Sequence, residues 1–171
     1  MQKLDDELIN SILKDQLGKL GAGGGAAGGF VGGGLLSSLG GVRGGYSGSR
    51  WVAGLLRTIE YREYMKLPCS PEKAMQSAVS VLASMPSFND WIHDAPHSTV
   101  PFFAALVGSG FWNMNPTIVC LEVVPADNGN TDVHIAAMAK EGLINQNSAE
   151  KAVKTLRELL CREGCNHSVG A

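Results

Sequence analysis

Hydrophobic positions fall into different regimes along the chain. Over residues 3–20 they recur at three- and four-residue steps: Leu4, Leu8, Ile9, Ile12, Leu13, Leu17 and Leu20 make one stripe, and Asp5, Asp6, Glu7, Lys14, Asp15 and Lys19 fill the opposite face. That period predicts a short amphipathic helix. Such a helix is marginal alone in water, so its stripe needs cover from the body of the protein, a second copy or partner, or a membrane surface. The acidic polar face counts against the membrane, which favours Lys and Arg.

Residues 50–163 carry the pattern of a folded domain. Arg57 to Leu67 alternates, with Ile59, Tyr61, Met65 and Leu67 on one side and Thr58, Glu60, Arg62 and Lys66 on the other, the signature of a half-buried strand. Ser70-Pro71-Glu72 opens a helix: Ser70 can cap, Pro71 suits the first turn, and Glu72 complements the dipole. Ala74, Ala78, Val79, Leu82 and Met85 form its apolar stripe, and Pro86 stops it.

Residues 86–98 read as a polar and aromatic connection. A strand follows over 99–107, with Pro101 placing it at an edge or delaying its start. A second runs over 117–124. Asp127-Asn128-Gly129-Asn130 is a turn signal, leading into alternation over 132–139. The last helix begins near Asn147, where Asn147 and Glu150 resemble a capping box, and Ala149, Ala152, Val153, Leu156, Leu159 and Leu160 share a face. The expected fold class is α+β: a two-layer β-α-β-β-β-α sandwich with a mainly antiparallel sheet.

Between these two parts, residues 21–48 hold 14 glycines in 28 positions. One reading is a flexible tether, since glycine loses most entropy on ordering. The other is a glycine zipper for membrane insertion or assembly: Gly21, Gly25, Gly29 and Gly33 sit four apart, and Gly24, Gly28 and Gly32 form a second row. No charge occurs between Lys19 and Arg43, a stretch of 23 residues that is long enough to cross a bilayer. The expected division is a helix to residue 20, a glycine-rich segment over 21–49, the α+β domain over 50–163 and a tail over 164–171.

Bulk properties narrow the function. Of 171 residues 44% are apolar and 18% charged, with a net charge of −2. No long basic run is present, which argues against a nucleic-acid partner and a polybasic membrane patch. The acidic start argues against a secretion signal, so the four cysteines (Cys69, Cys120, Cys161 and Cys165) read as free thiols of a cytoplasmic chain.

No Gly-x-Ser-x-Gly elbow, P-loop or His-Glu-x-x-His occurs, and neither a cofactor nor a metal is expected. His93, Asp94 and His97 put two imidazoles four apart around a carboxylate, the raw material of a general base, with Pro96 against a regular helix. Cys161, Cys165 and His167 lack the second pair a structural zinc needs. Between two strands, Phe111 and Trp112 stand beside Asn113 and Asn115. Aromatics with adaptable amides suit the rim of a ligand or partner site, or else close the end of the core. Lys140 and Glu141 read as a surface pair.

Ser70-Pro71-Glu72-Lys73-Ala74, the Asn128-Gly129 turn before Thr131-Asp132-Val133 and the closing amphipathic helix resemble shortened helix-grip domains of the Bet v 1-like or START-like kind. They also resemble small bacterial α+β domains. The resemblance implies a curved sheet gripping a C-terminal helix and an apolar ligand or lipid-facing role. The strand count is below that of a full helix-grip, and no functional residue carries over. The expected function is a non-enzymatic binding or assembly domain for an apolar ligand or protein partner, with possible self-association. The alternatives are a membrane-associated glycine-zipper protein and a small enzyme using His93, Asp94 and His97.

Overall fold

The computed structural model describes residues 4–94, 101–109, 115–141 and 146–166, with side chains described outside 24–42, 87–94, 128 and 164–166. The elements run α1 (Asp6–Leu55), β1 (Arg57–Leu67), α2 (Pro71–Ser84), β2 (Ser87–Asp94), β3 (Phe102–Ser109), β4 (Asn115–Pro125), β5 (Thr131–Glu141) and α3 (Ser148–Asn166). They divide into two compact units, one built on the sheet with α2 and α3, the other on α1 with Lys140 and Glu141.

The sheet has five strands in the order β1-β5-β4-β3-β2. Pairing is antiparallel from β2 through β5. The local rules that shape it are those of its sequence. Ser70 caps α2 by accepting from the Lys73 N–H, with Pro71 in the first turn. β4 turns into β5 through a 3-10 turn at Asp127–Gly129, in which Gly129 has φ 73°, a left-handed backbone that a side chain would strain. Asn147, just before α3, has φ 52°, a conformation Asn tolerates better than most residues.

One face of the sheet packs against α2 and α3. Val119 and Leu121 of β4, Ile135 and Ala137 of β5, Val81 and Leu82 of α2, and Val153, Leu156 and Leu160 of α3 belong to one core cluster. Alternate residues on the other face, among them Leu106, Ile118, Cys120 and Met138, are buried as well. The central strands therefore read as near-continuous apolar runs.

Three sequence expectations are corrected. Residues 87–94 form a strand, β2, where a connection was expected. Its register against β3 slips twice, between Ser87 and Trp91 and between Trp91 and His93, and such bulges erase the two-residue period that reveals a strand. The glycine-rich segment is helical, and α1 runs through residues 20 and 49, where boundaries were placed. Lys140 and Glu141, expected at the surface, are 4% and 7% exposed, because the Lys140 ammonium turns inward to bond backbone at the end of α1. Among the described residues no helix is long and apolar enough to cross a membrane.

Candidate functional site on the α1 hairpin

Asp5 starts α1 by accepting from the Glu7 N–H at 3.0 Å, with Asp6 and Glu7 in the first turn. A straight helix would hold Gly21 and Gly45 about 36 Å apart, at 1.5 Å per residue. Instead the backbones touch: a Cβ placed on Gly45 would fall 2.3 Å from the Gly21 carbonyl oxygen. The helical run therefore doubles back between Gly23 and Arg43, giving two antiparallel arms. Gly18 packs on the Tyr46 ring, and Gly21 on Ser49 and Gly45. Close approach of this kind needs residues without side chains on the inner stripe. Of the four glycines expected to form a zipper, Gly21 makes this contact, and Gly25, Gly29 and Gly33 lie in helical backbone.

Polar groups fasten the arms. The Tyr46 hydroxyl donates to Asp15, whose other oxygen meets the Lys19 ammonium at 3.2 Å. The Tyr46 bond, aided by Lys19, holds the Asp15 carboxyl below its ordinary range despite some desolvation. Arg50 donates to the Tyr46 hydroxyl at 3.2 Å, its guanidinium 5.9 Å from the ring centre. At the far end, Lys140 Nζ donates to the Leu56 carbonyl at 3.1 Å and reaches Thr58 Oγ1 at 3.4 Å. Thr58 in turn donates to Asn10 at 3.2 Å. Burial, and then the nearby Lys14 charge, push the Lys140 ammonium below its ordinary pKa.

The second arm has an outer face with a different character. Gly44, Gly48, Trp51, Val52 and Leu55 follow one another at the spacing that puts residues on one side of a helix. None is charged. Trp51 and Leu55 are each 69% exposed and Val52 is 47% exposed. A Cβ at Gly44 or Gly48 would meet open space. Against this face lies a groove of about 460 Å³ lined by Leu17, Gly44, Gly48, Val52, Ala53 and Leu56 among others. A second recess, of about 550 Å³, is lined by Lys14, Tyr46, Ser47, Arg50, Trp51 and Gly54. Exposed apolar residues gathered in this way mark a contact surface rather than random surface hydrophobicity.

The space between sheet and helices is different. Val119, Leu121, Ile135, Leu156 and Leu160 have 0% accessible surface. A side chain lining a cavity large enough for water would register accessible area, so these five line none.

The remaining sequence candidates are scattered. Phe111, Trp112, Asn113 and His97 lie outside the described residues. Asn115 opens β4 and donates to Ser148 Oγ at 2.7 Å, while Ser109 Oγ donates to the Ser148 carbonyl at 2.6 Å. These bonds tie the ends of β3 and β4 to the start of α3. His93 and Asp94 pair with Ala104 and Phe103 at the edge of the sheet. β3 and β4 separate their strand from β5, where Lys140 and Glu141 lie, by about 14 Å at the usual strand spacing. Cys161 is exposed and free. Cys165 lies in α3 with its side chain outside the described set, and His167 is outside the described residues.

One polar cluster was missed. Glu122 of β4 faces His134 of β5 in register, with Oε2 3.0 Å from the ring Nδ1. Tyr64 stands edge-on to that ring at 4.8 Å. Glu122 is only 6% exposed. A lone carboxylate inside the apolar run 117–124 was the available signal, but its partner is set by strand register.

Comparison with protein-family models gives no match, and comparison with curated proteins gives none. Solved structures similar to this chain include helix-grip proteins of the kind its sequence resembles. Ara h 8.0201 is 9% identical, with a TM-score of 0.38, covering 64% of this chain and 97% of its own. A START superfamily protein from Mycobacterium smegmatis is 9% identical, with a TM-score of 0.36, over 65% and 99%. Norcoclaurine synthase from Thalictrum flavum is 8% identical, with a TM-score of 0.34, over 63% and 93%.

Proposed function

We propose that this chain is a binding domain for an apolar ligand or the apolar segment of a partner, and that the outer face of the second α1 arm is where the occupant sits. The observation that carries this reading is the uncharged face from Gly44 to Leu55, with Trp51 and Leu55 each 69% exposed beside the groove of about 460 Å³. The volume is in the range of small-molecule sites, which are apolar hollows with few polar groups. The full burial of Val119, Leu121, Ile135, Leu156 and Leu160 supports the same choice, since an occupant beside them would have to displace close-packed side chains.

A single substitution tests the reading. Leucine at Gly48 has open space to enter and would occupy the mouth of the groove, while raising helix propensity by about 1 kcal/mol. Titration with N-phenyl-1-naphthylamine, an uncharged probe that brightens in apolar surroundings, should show saturable binding to the natural chain. Gly48→Leu should lose that binding without loss of thermal stability. Unchanged probe binding in Gly48→Leu would place the site elsewhere.

A further inference from the structure

The groove beside the second arm has one polar feature. Its lining carries no charged residue, and Ser49 is the lining residue with a polar side chain. Neighbouring hydroxyls on the same arm are engaged: Tyr46 donates to Asp15, and Ser47 donates to the Arg43 carbonyl at 2.8 Å. A serine inside a helix commonly makes the second kind of bond, back to the carbonyl four residues earlier. Ser49 does not. Among the described residues its hydroxyl has no hydrogen-bond partner.

The crossing of the arms fixes where that oxygen stands. Gly21 faces it, and Ser49 Oγ leaves no room for a Cβ at Gly21. Ser49 is half-buried there. Other polar groups of the wall are committed elsewhere. Those of the Gly44, Gly45 and Gly48 backbone belong to the ladder of α1, and the Leu56 carbonyl accepts from the Lys140 ammonium. The Ser49 hydroxyl can both donate and accept, and in the groove it does neither.

We infer that the groove selects an uncharged ligand carrying a hydroxyl or carbonyl group, with its apolar body against Leu17, Val52 and Ala53 and its oxygen hydrogen-bonded to Ser49 Oγ. A carbonyl accepts from the serine, and an alcohol accepts from it or donates to it. An ionised carboxylate or ammonium seated at the same place would leave water with no counter-charge in the lining, a cost that one hydrogen bond to a hydroxyl does not offset. This inference rests on the reading that the groove is the binding site. It adds the class of ligand and the residue that selects it.

The test is competition against N-phenyl-1-naphthylamine on the full chain, with four compounds built on one ring: naphthalene, 2-naphthalenemethanol, 2-naphthoate and 2-naphthylmethylammonium. The alcohol should displace the probe at lower concentration than either ion. In Ser49→Ala the affinity for the alcohol relative to naphthalene should fall about fivefold, the value of one neutral hydrogen bond. Naphthalene, which needs no hydrogen bond, is the internal control for a distorted groove. An ion that binds as well as the alcohol, or an alcohol-to-naphthalene ratio that survives Ser49→Ala, would overturn the inference. If Gly48→Leu still blocks the probe in that case, the groove stands and the ligand class falls alone. If the probe shows no saturable binding, or Gly48→Leu leaves it bound, both fall.

Discussion

Gly44 and Gly45 are neighbours in one helix arm, and the structure predicts opposite outcomes for the same substitution. Alanine in place of glycine in a helix interior adds about 1 kcal/mol of stability, because the unfolded chain loses freedom. Both positions share that gain. At Gly44 the new methyl enters open space, so Gly44→Ala should stabilise by roughly that amount. At Gly45 the methyl would lie 2.3 Å from the Gly21 carbonyl oxygen and 3.0 Å from its carbon. Backbone cannot rotate aside as a side chain can, so the arms must separate by about 1 Å. Forcing one extra carbon into a packed contact costs about 1–3 kcal/mol. The propensity gain cancels between the two variants, so their difference isolates the clash. For a chain of this size, 1–3 kcal/mol corresponds to a gap of about 2–12 °C in Tm. Thermal melts followed by far-UV circular dichroism would measure it, with Gly45→Ala the lower. Equal increases in Tm for both variants would refute the close approach of the arms, and with it the hairpin.

Other outcomes follow from the sheet unit and from the titrating groups. Leu156→Ala removes a side chain with 0% exposure from the core and should destabilise by about 2–5 kcal/mol in urea denaturation. In native protein, thiol reagent at mild alkaline pH should label exposed Cys161 quickly and spare Cys120 until the chain unfolds. Burial pushes the Cys120 thiol from 9.0 to about 12, so its contribution to stability is complete below pH 9 and fades as pH climbs toward 12. Lys140 is shifted the other way, below 10.5, by burial and by Lys14. Its charge therefore disfavours the fold at neutral pH, an effect that fades as pH rises through the lowered value, and carbon NMR of the Lys140 Cε should show the early titration.

Much of the sheet unit could be read from the chain because its signals are local. The alternation from Arg57 to Leu67, the Ser70-Pro71 start and the turn at Gly129 each depend on a few adjacent residues, and the observed elements begin and end where those signals fall. β2 was hidden because bulges break its period. The Glu122–His134 pair was hidden for a different reason: its partners are 12 residues apart and meet only through register. The glycine-rich segment shows propensity overruled by packing. Glycine disfavours helix by about 1 kcal/mol per residue, which favoured reading a tether over a helix. What separates them is the touching of Gly18, Gly21 and Gly45 across the two arms, a contact between residues that are distant in sequence. The outer face at Gly44, Gly48, Trp51 and Leu55 could be proposed as a site only after the inner face was assigned.

Methyl NMR during titration with the uncharged apolar probe bears most directly on where this protein binds. Leu17, Val52 and Leu56 line the groove, whereas Val119, Ile135 and Leu156 lie in the core cluster between sheet and helices. Shifts confined to the first set are predicted. Shifts centred on the second set, with the first unmoved, would return the site to the grip and contradict the account.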